Sequence, residues 1–256
     1  MPNFFIKKHQ IKDHRIEIKG ELLRHLRDSL RIQRGERISC VDEDAIRYTV
    51  VVTYIGRDLL TGDVTEEVKQ GERPAVYIHI IQAIPKGPRL DFIIEKATEL
   101  GVSAVTPVMT ERSVVRIEKE RVEERLKRWR RIALESAQQS GRRGVPEIAP
   151  PVSLSEFLAS FRKVDLNLLL WEGEKRVMIK DVLKGAQEAK RVTVLIGPEG
   201  GFSEDEVGKA LEKGFVSVSL GEFILRTETA SIAALSILQY EFGGSFNLYR
   251  GCCAVL

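Results

Sequence analysis

The chain has 256 residues, 43% hydrophobic and 30% charged, with a formal net charge of only +3. That composition excludes wholesale disorder and supports one large or two modest domains with real cores. The longest apolar runs, six to eight residues, are too short to span a membrane, and three cysteines without a CxxC pair make neither a disulfide framework nor a zinc site.

In chain order, Met1–Lys8 lacks the apolar segment and cleavage site of a signal peptide, so a reducing cytoplasm is the expected location. Arg15–Ile18 alternates as a short strand, and Glu21–Leu30 places apolar residues at 22, 23, 26 and 30 on one helix face. Arg37–Val41 and Arg47–Ile55 flank a turn at Asp42–Asp44 and read as a hairpin; Leu59–Val64 supplies a further strand. Several strands around one small helix predict a compact barrel over residues 1–72. The polar, Gly- and Pro-bearing stretch Lys69–Pro74 marks the boundary.

From residue 73 to 256 the pattern alternates. Strands are expected at Ala75–Ala83, Val102–Val108, Val164–Trp171, Val192–Ile196 and Val216–Leu220. Helices are expected at Asp91–Leu100, Glu118–Gln139, Lys180–Ala189, Ser203–Lys213 and Thr227–Tyr240. Such alternation predicts an α/β domain with a mainly parallel sheet covered on both faces, whose ligands sit beyond the carboxyl ends of the strands.

Charge is unevenly spread. Residues 7–37 carry ten Lys or Arg against five acids, and residues 125–143 carry seven against one. Two such segments point to a phosphate-backbone footprint as well as to a solvated surface.

Two glycine loops carry the chemistry. Ile196-Gly197-Pro198-Glu199-Gly200-Gly201-Phe202 follows an apolar strand and precedes Ser203-Glu204-Asp205-Glu206, a helix start with its cap. Its spacing is neither G-x-G-x-x-G nor a Walker loop, so a phosphate cradle is disfavoured. Gly200 and Gly201 can still turn backbone donors and acceptors toward a ligand. The second loop, Leu220-Gly221-Glu222-Phe223-Ile224-Leu225-Arg226-Thr227-Glu228-Thr229-Ala230, leads into the last helix. Thr227 or Thr229 is a candidate cap, and Glu228 suits a helix N-terminus. Arg226 and Glu228 read either as such surface groups or as flanks of an apolar hollow that accepts adenine.

Together these two strings resemble the small-subunit ribosomal RNA uridine-N3 methyltransferases, the RsmE family of the SPOUT superfamily. Other segments agree: Phe5, His25-Leu26, Leu30-Arg31 with Gly35, Lys96–Val102, Pro107, Glu111-Arg112-Ser113, Ala137–Arg142 and Pro146. Arg24 precedes His25 where that family usually has a second histidine.

The resemblance implies a PUA-like N-terminal barrel, residues 1–72, for RNA binding. It also implies a SPOUT-type α/β domain, residues 73–256, with a deep C-terminal trefoil knot, which patterning alone would never suggest. It implies S-adenosylmethionine as cofactor, no metal, and a homodimer in which the apolar stretch Ile232–Leu238 either joins the interface or covers its own sheet. The cofactor would lie against Leu170, Ile196, Gly197, Gly200, Gly201, Leu220, Gly221, Ile224, Leu225 and Thr227. Arg226 would orient the base or stabilise its developing charge, with Glu199 and Glu228 as further catalytic candidates; for both acids, loop organisation is the competing role. Lys7, Arg24, Arg27, Arg31, Arg142 and Arg143 are the expected contacts to 16S rRNA in the assembled 30S subunit, with Arg24, Arg27 and Arg31 nearly on one helix face. Tyr48 and Phe202 are read as packing aromatics before base-stacking ones. The competing readings are a knotted ribose 2′-O-methyltransferase and a non-catalytic RNA-binding or ribosome-assembly module.

Overall fold

A computed structural model describes residues 3–69 and 76–243. Most of the expected boundary segment, residues 70–74, lies outside them, as do Cys252 and Cys253. The chain folds into two compact units. One comprises Met1–Glu72 with Leu134–Val145, the other Arg73–Ala133 with Pro146–Leu256.

The first unit begins with β1 (Asn3–Phe5), a 3-10 turn at Lys8–Gln10, β2 (Ile11–Lys12), β3 (Arg15–Ile18) and α1 (Gly20–Arg24). It continues through β4 (Arg37–Val41), β5 (Arg47–Ile55) and β6 (Leu60–Val68). These strands form one sheet in the order β1-β4-β5-β6-β3-β2, antiparallel except for β1 beside β4. Alternation decides which face is inside: Ile16 and Ile18 of β3 and Tyr48, Val50 and Val52 of β5 are buried, while Arg15 and Glu17 are exposed. With Leu23, Leu26, Ile38 and Leu60 they make the core of this unit. Cys40 lies in that core, where burial pushes its thiol up to about 12, so it is an inert apolar group. The turn at Asp42 is as expected: its side chain accepts from the backbone of Asp44 and Ile46 and from the Tyr48 hydroxyl. Tyr48 is thereby a core residue and is not free to stack on a base.

The helix expected at Glu21–Leu30 takes another form. After α1 the backbone widens into a π-helical turn, His25–Ser29, and Arg31 adopts a positive φ of 53°. Arg31 therefore leaves the helix, and the single arginine face expected of Arg24, Arg27 and Arg31 does not form. Leu134–Val145 belongs to this unit through Asn3, whose amide donates to the carbonyls of Gly141 and Arg142 at 2.9 and 3.1 Å.

The second unit runs β7 (Tyr77–Ala83), α2 (Arg89–Glu99), β8 (Ala104–Met109), α3 (Lys119–Gln139), β9 (Glu147–Ile148), β10 (Val152–Ser153), α4 (Leu154–Ser160) and β11 (Leu166–Leu170). It closes with α5 (Ile179–Lys184), β12 (Arg191–Ile196), α6 (Glu204–Glu212), β13 (Val216–Val218) and α7 (Thr227–Phe242). The last six residues of α3 fall in the first unit's share. The sheet order is β10-β8-β7-β12-β11-β13 with β9 also beside β8, and every pairing is parallel. Strands in such a sheet are buried on both sides and read as continuous apolar runs, which is why all of Leu166–Leu170 is buried. On one face Ile80, Leu168 and Val194 pack with Ile94, Leu235 and Leu238. On the other, Ile81, Leu169 and Leu195 pack with Leu158, Val207 and Ala210. The expected helix at Lys180–Ala189 is shorter, ending at Lys184 before Gly185, and β9, β10 and α4 were not anticipated from the pattern. Ser153 caps α4 and Ser203 caps α6, each in a reciprocal box with a glutamate three residues on, worth about 1 kcal/mol apiece.

Ile80 is fully buried at the middle of this sheet. Ile80→Ala is expected to destabilise the second unit by about 2–5 kcal/mol. A lower denaturant midpoint with an unchanged slope is the expected signature.

Candidate active site

Four strand ends of the second unit meet. Leu170 of β11 is in register with both Ile196 of β12 and Val218 of β13, and Ile196 is in register with Gln82 of β7. The loops that leave these strands are therefore neighbours at the carboxyl edge of the sheet, where such sheets bind ligands.

The first loop starts at Gly197. Gly201 N–H donates to Pro198 O at 3.0 Å, and Gly201 sits at φ +67°, a conformation any L side chain resists by about 1–2 kcal/mol. A side-chain carbon on Gly197 would lie 3.1 Å from the ring of Phe202. That ring is buried beneath the loop, so Phe202 holds the turn in shape and has no face for a base. Behind the loop, Arg112 donates to Gly200 O at 3.1 Å, and Glu206 Oε1 accepts from the backbone of Glu111 at 2.8 Å. The Glu111-Arg112-Ser113 turn, distant in sequence, is thus a brace for the glycine loop.

The second loop follows β13. Ser219 is held between Val177 O and Ile179 N–H, and its hydroxyl closes on Gly221. Leu220 is half-buried, whereas Phe223 and Ile224 stand 83% and 86% exposed and Leu225 37%. The apolar side chains expected around adenine thus project into solvent. Arg226 heads α7 without capping it through its side chain, and its guanidinium makes no hydrogen bond or ion pair with the described residues.

Thr227 does not cap the helix as expected. Its hydroxyl donates to Gly197 O at 2.6 Å and accepts from the Gln82 amide at 3.0 Å. Gln82 in turn accepts from Ser231 at 2.6 Å. This buried chain links the end of β7, the start of the first loop and the first turn of α7, and every partner in it is satisfied.

A third loop completes the cluster, and sequence reasoning missed it. Lys86 donates its backbone N–H to Glu199 Oε1 at 3.0 Å, and the Arg89 guanidinium pairs with the same carboxylate. Arg89 also reaches Glu228 at 3.7 Å, leaving Glu228 Oε2 buried without a partner. The two acids chosen from sequence therefore share one cation. Burial works to raise the Glu199 carboxyl, but hydrogen bonds from its own backbone and that of Lys86, then Arg89, hold it below the ordinary value. It is ionised at neutral pH and poorly suited to keep a proton. Ile84-Pro85-Lys86-Gly87-Pro88-Arg89 carried the signal, a Gly- and Pro-bearing basic loop at a strand's carboxyl end.

The expected RNA contacts all belong to the first unit. Lys7, Arg24, Arg31 and Arg143 are exposed. Arg27 is engaged by Asp28 and by Arg57 O. Arg142 is half-buried, and desolvation pushes its guanidinium down to about 10. Among the described residues, no group of three His, Cys, Asp or Glu side chains could hold a metal ion, and no helix is long and apolar enough to cross a membrane.

Residues 72–239 of this chain match the family of RNA methyltransferase domains, and residues 18–65 match the RNA methyltransferase PUA domain. The chain belongs to the ribosomal RNA small subunit methyltransferase E family. It is 30% identical to that enzyme of Bacillus subtilis, over 94% of this chain and 97% of the relative. It is 35% identical to that of Aquifex aeolicus, over 81% and 87%. The crystal structure of the Neisseria gonorrhoeae enzyme bound to S-adenosyl methionine superimposes with a TM-score of 0.84 at 31% identity, covering 94% of this chain and 97% of that one.

Replacing Arg89 by Met removes a counter-charge from Glu199, so its carboxyl must titrate higher than in the wild type. The stability that a depressed carboxyl contributes, present above its ordinary value and lost as pH falls through the depressed one, shrinks accordingly. Carbon-detected NMR titration of Glu199 reads this directly; an unchanged midpoint would remove Arg89 as its counter-ion.

Proposed function

We propose that this chain transfers the methyl group of S-adenosylmethionine to N3 of a uridine in 16S ribosomal RNA. The observation that carries the reading is the junction of the two glycine loops through Thr227 and Gly197, with the guanidinium of Arg226, at the head of α7, unpaired among the described residues. Kinship with enzymes named as ribosomal RNA small subunit methyltransferases, one of them solved with S-adenosyl methionine, supports it.

The site fits such a cofactor. Gly197, Gly200, Gly201 and Gly221 bring bare backbone to the strand ends, and the bonds of Gly197 O, Gly200 O, Gly201 N–H and Gly221 within the chain hold that backbone in place. Leu170 and Ile196 end the strands beneath it, and Leu220, Ile224, Leu225 and Thr227 border the second loop. Glu228 Oε2 is a buried acceptor without a partner, suited to a cationic or hydrogen-bonding group. When bound, S-adenosylmethionine supplies a methyl group on a sulfonium, an electrophile that needs no metal.

The chain's own residues do the rest. Methylation at N3 would require the N3–H proton to pass to solvent water, which places negative charge on N3 and the uracil oxygens until N3 takes up the methyl group. Arg226 orients the base and stabilises that charge. Glu199 anchors the loop through Lys86 and Arg89, and Glu228 faces the same cation. The target uridine leaves its stack to enter the site.

The finer architecture follows the same reading. After pairing beside Val177–Ile179, the chain leaves the sheet edge at β13 and returns to Gly197 and Gln82 at its centre. That path supports a trefoil knot of the SPOUT type. The six-stranded sheet is the PUA-like barrel that holds RNA through Lys7, Arg24, Arg27, Arg31, Arg142 and Arg143. A homodimer, working in the cytoplasm on assembled 30S particles, covers the surface left by Phe92 and Tyr240, which are 43% and 86% exposed on α2 and α7.

Incubation of unmodified 16S rRNA or 30S particles with tritiated S-adenosylmethionine, then digestion to nucleosides, should place the label in N3-methyluridine. Label in a 2′-O-methylnucleoside would instead identify a ribose methyltransferase, and absence of label despite RNA binding a non-catalytic module. Arg226→Ala is expected to lower the single-turnover rate about 100-fold or more with the fold intact; a near-normal rate removes Arg226 from the chemistry. Arg24→Ala combined with Arg27→Ala should weaken RNA binding and flatten its salt dependence, most of the loss coming from Arg24 because Arg27 is already engaged.

A further inference from the structure

A second basic feature lies wholly within the methyltransferase unit and takes no part in the chemistry described above. Between the start of α2 and the first half of α3 runs a groove of about 690 Å³. Its charged lining is Arg121, Arg125, Lys127, Arg128 and Arg131 against two acids, Asp91 and Glu124. Arg121, Arg125 and Arg128 recur at intervals of four and three, so they form one stripe along α3. Its apolar lining includes Ile84, Pro88, Leu90, Val115, Ile117 and Trp129.

Internal pairing accounts for only part of this charge. Arg128 is neutralised by Asp91 at 2.7 Å, and the same carboxylate accepts from the Trp129 indole at 3.1 Å. That pair fixes the groove's shape. Arg121 meets Glu118 only at 3.6 Å, with both side chains more than two-thirds exposed, a pairing worth little. Arg125 and Lys127 are exposed and make no hydrogen bond or ion pair with the described residues. Two unpaired cations beside apolar surface suit a ligand with anionic links and flat apolar faces, which is the chemistry of a single nucleic-acid strand.

Position adds the second argument. Gly87 and Pro88 line the groove, and the residues on either side of them, Lys86 and Arg89, hold Glu199 of the active site. One short loop thus forms a wall of the groove and a wall of the methyl-transfer site. A strand whose uridine enters that site can continue along α3 without crossing the sheet.

We propose that this groove binds the single-stranded RNA flanking the target uridine, with Arg125 and Lys127 on its phosphates and Val115, Ile117 and Pro88 against its bases. This rests on the RNA-methylating reading, and it adds to the first unit's RNA-binding residues a set carried by the catalytic unit. Because the charges meet phosphates, the groove positions the strand and does not read its sequence.

The test uses the full chain with Arg125→Glu and Lys127→Glu together, and Arg125→Ala alone, binding unmodified 16S rRNA across about 50–200 mM salt. The double variant should bind at least tenfold more weakly. Its log–log salt slope should be shallower by about 1–2, near 0.7 for each single-strand phosphate that is no longer neutralised. Its affinity for S-adenosylmethionine and its melting temperature should match the wild type, since neither side chain has a partner among the described residues. Arg125→Ala should show the same change in smaller measure. Unaltered RNA affinity and salt slope in both variants would overturn the proposal. So would an equal loss in Lys184→Glu, a charge reversal on α5, because the effect would then be one of net charge. Wild-type methyl transfer is recorded on the same RNA and on unmodified 30S particles, and counts as failed only when both stay unlabelled. If it fails while the groove variants still weaken binding, the methylation reading falls and the groove stands; if it succeeds while they bind normally, the reverse holds.

Discussion

The buried hydrogen bonds around Gln82 govern what the catalytic unit can do. Gln82 is fully buried at the end of β7, between the two strands that flank it at the centre of the sheet. An amide in that position is tolerated only with its partners in place, because an unsatisfied buried donor or acceptor costs about 1–3 kcal/mol. Its partners are Thr227 and Ser231 on the first turn of α7, and Thr227 passes the connection to Gly197 O. One set of polar groups thus sets where α7 begins, where the first glycine loop starts, and how closely the two approach. Arg226, next to Thr227, inherits its position from that network.

Around this fixed point the charged groups form a second, more exposed layer. Arg89 pairs with Glu199 and approaches Glu228, so each glycine loop contributes an acid to a cation supplied by a third loop. The outcome is asymmetric: Glu199 has several donors, while one oxygen of Glu228 has none. An ionised carboxylate with several donors organises its surroundings; a buried oxygen without a partner is where a ligand gains most by donating a hydrogen bond. Arg226 makes no hydrogen bond or ion pair with the described residues. Such a division, with some charges committed to holding the loops and others left uncommitted, is the preorganisation that the proposed methyl transfer would use.

Much of this was legible in the chain. The alternation of apolar strands and amphipathic helices after residue 75 led to a parallel sheet, because a doubly covered strand needs an uninterrupted apolar run, as in Leu166–Leu170. The caps at Ser203 and the Asp42 turn were equally local and equally readable. The glycine loops could be placed at strand ends, and their strings carried the family resemblance. What failed failed for physical reasons. The helix after Gly20 loses its regular bonding at His25, and no propensity rule distinguishes a π-helical turn from an α-helical one over five residues. Thr227 looked like a cap because a threonine at a helix start usually is one, yet a carbonyl just beyond β12, thirty residues earlier, competes for its hydroxyl. The two- and three-residue strands β1, β2, β9 and β10 carry too few positions for alternation to register.

The sequence by itself determined the class of fold and the placing of the two glycine loops, with Glu199, Arg226 and Glu228 on them, beyond the carboxyl ends of the strands. These depend on periodicity, glycine placement and charge, all written within short windows of the chain. Only the tertiary structure decided which charges remain available. Arg89 lies 110 residues from Glu199, Arg112 lies 88 from Gly200, and Asp91 lies 37 from Arg128. Whether a given arginine is consumed by an internal acid or left for a phosphate depends on which strand ends and helix faces the sheet brings together, and pairings across such separations leave no periodic trace in the sequence.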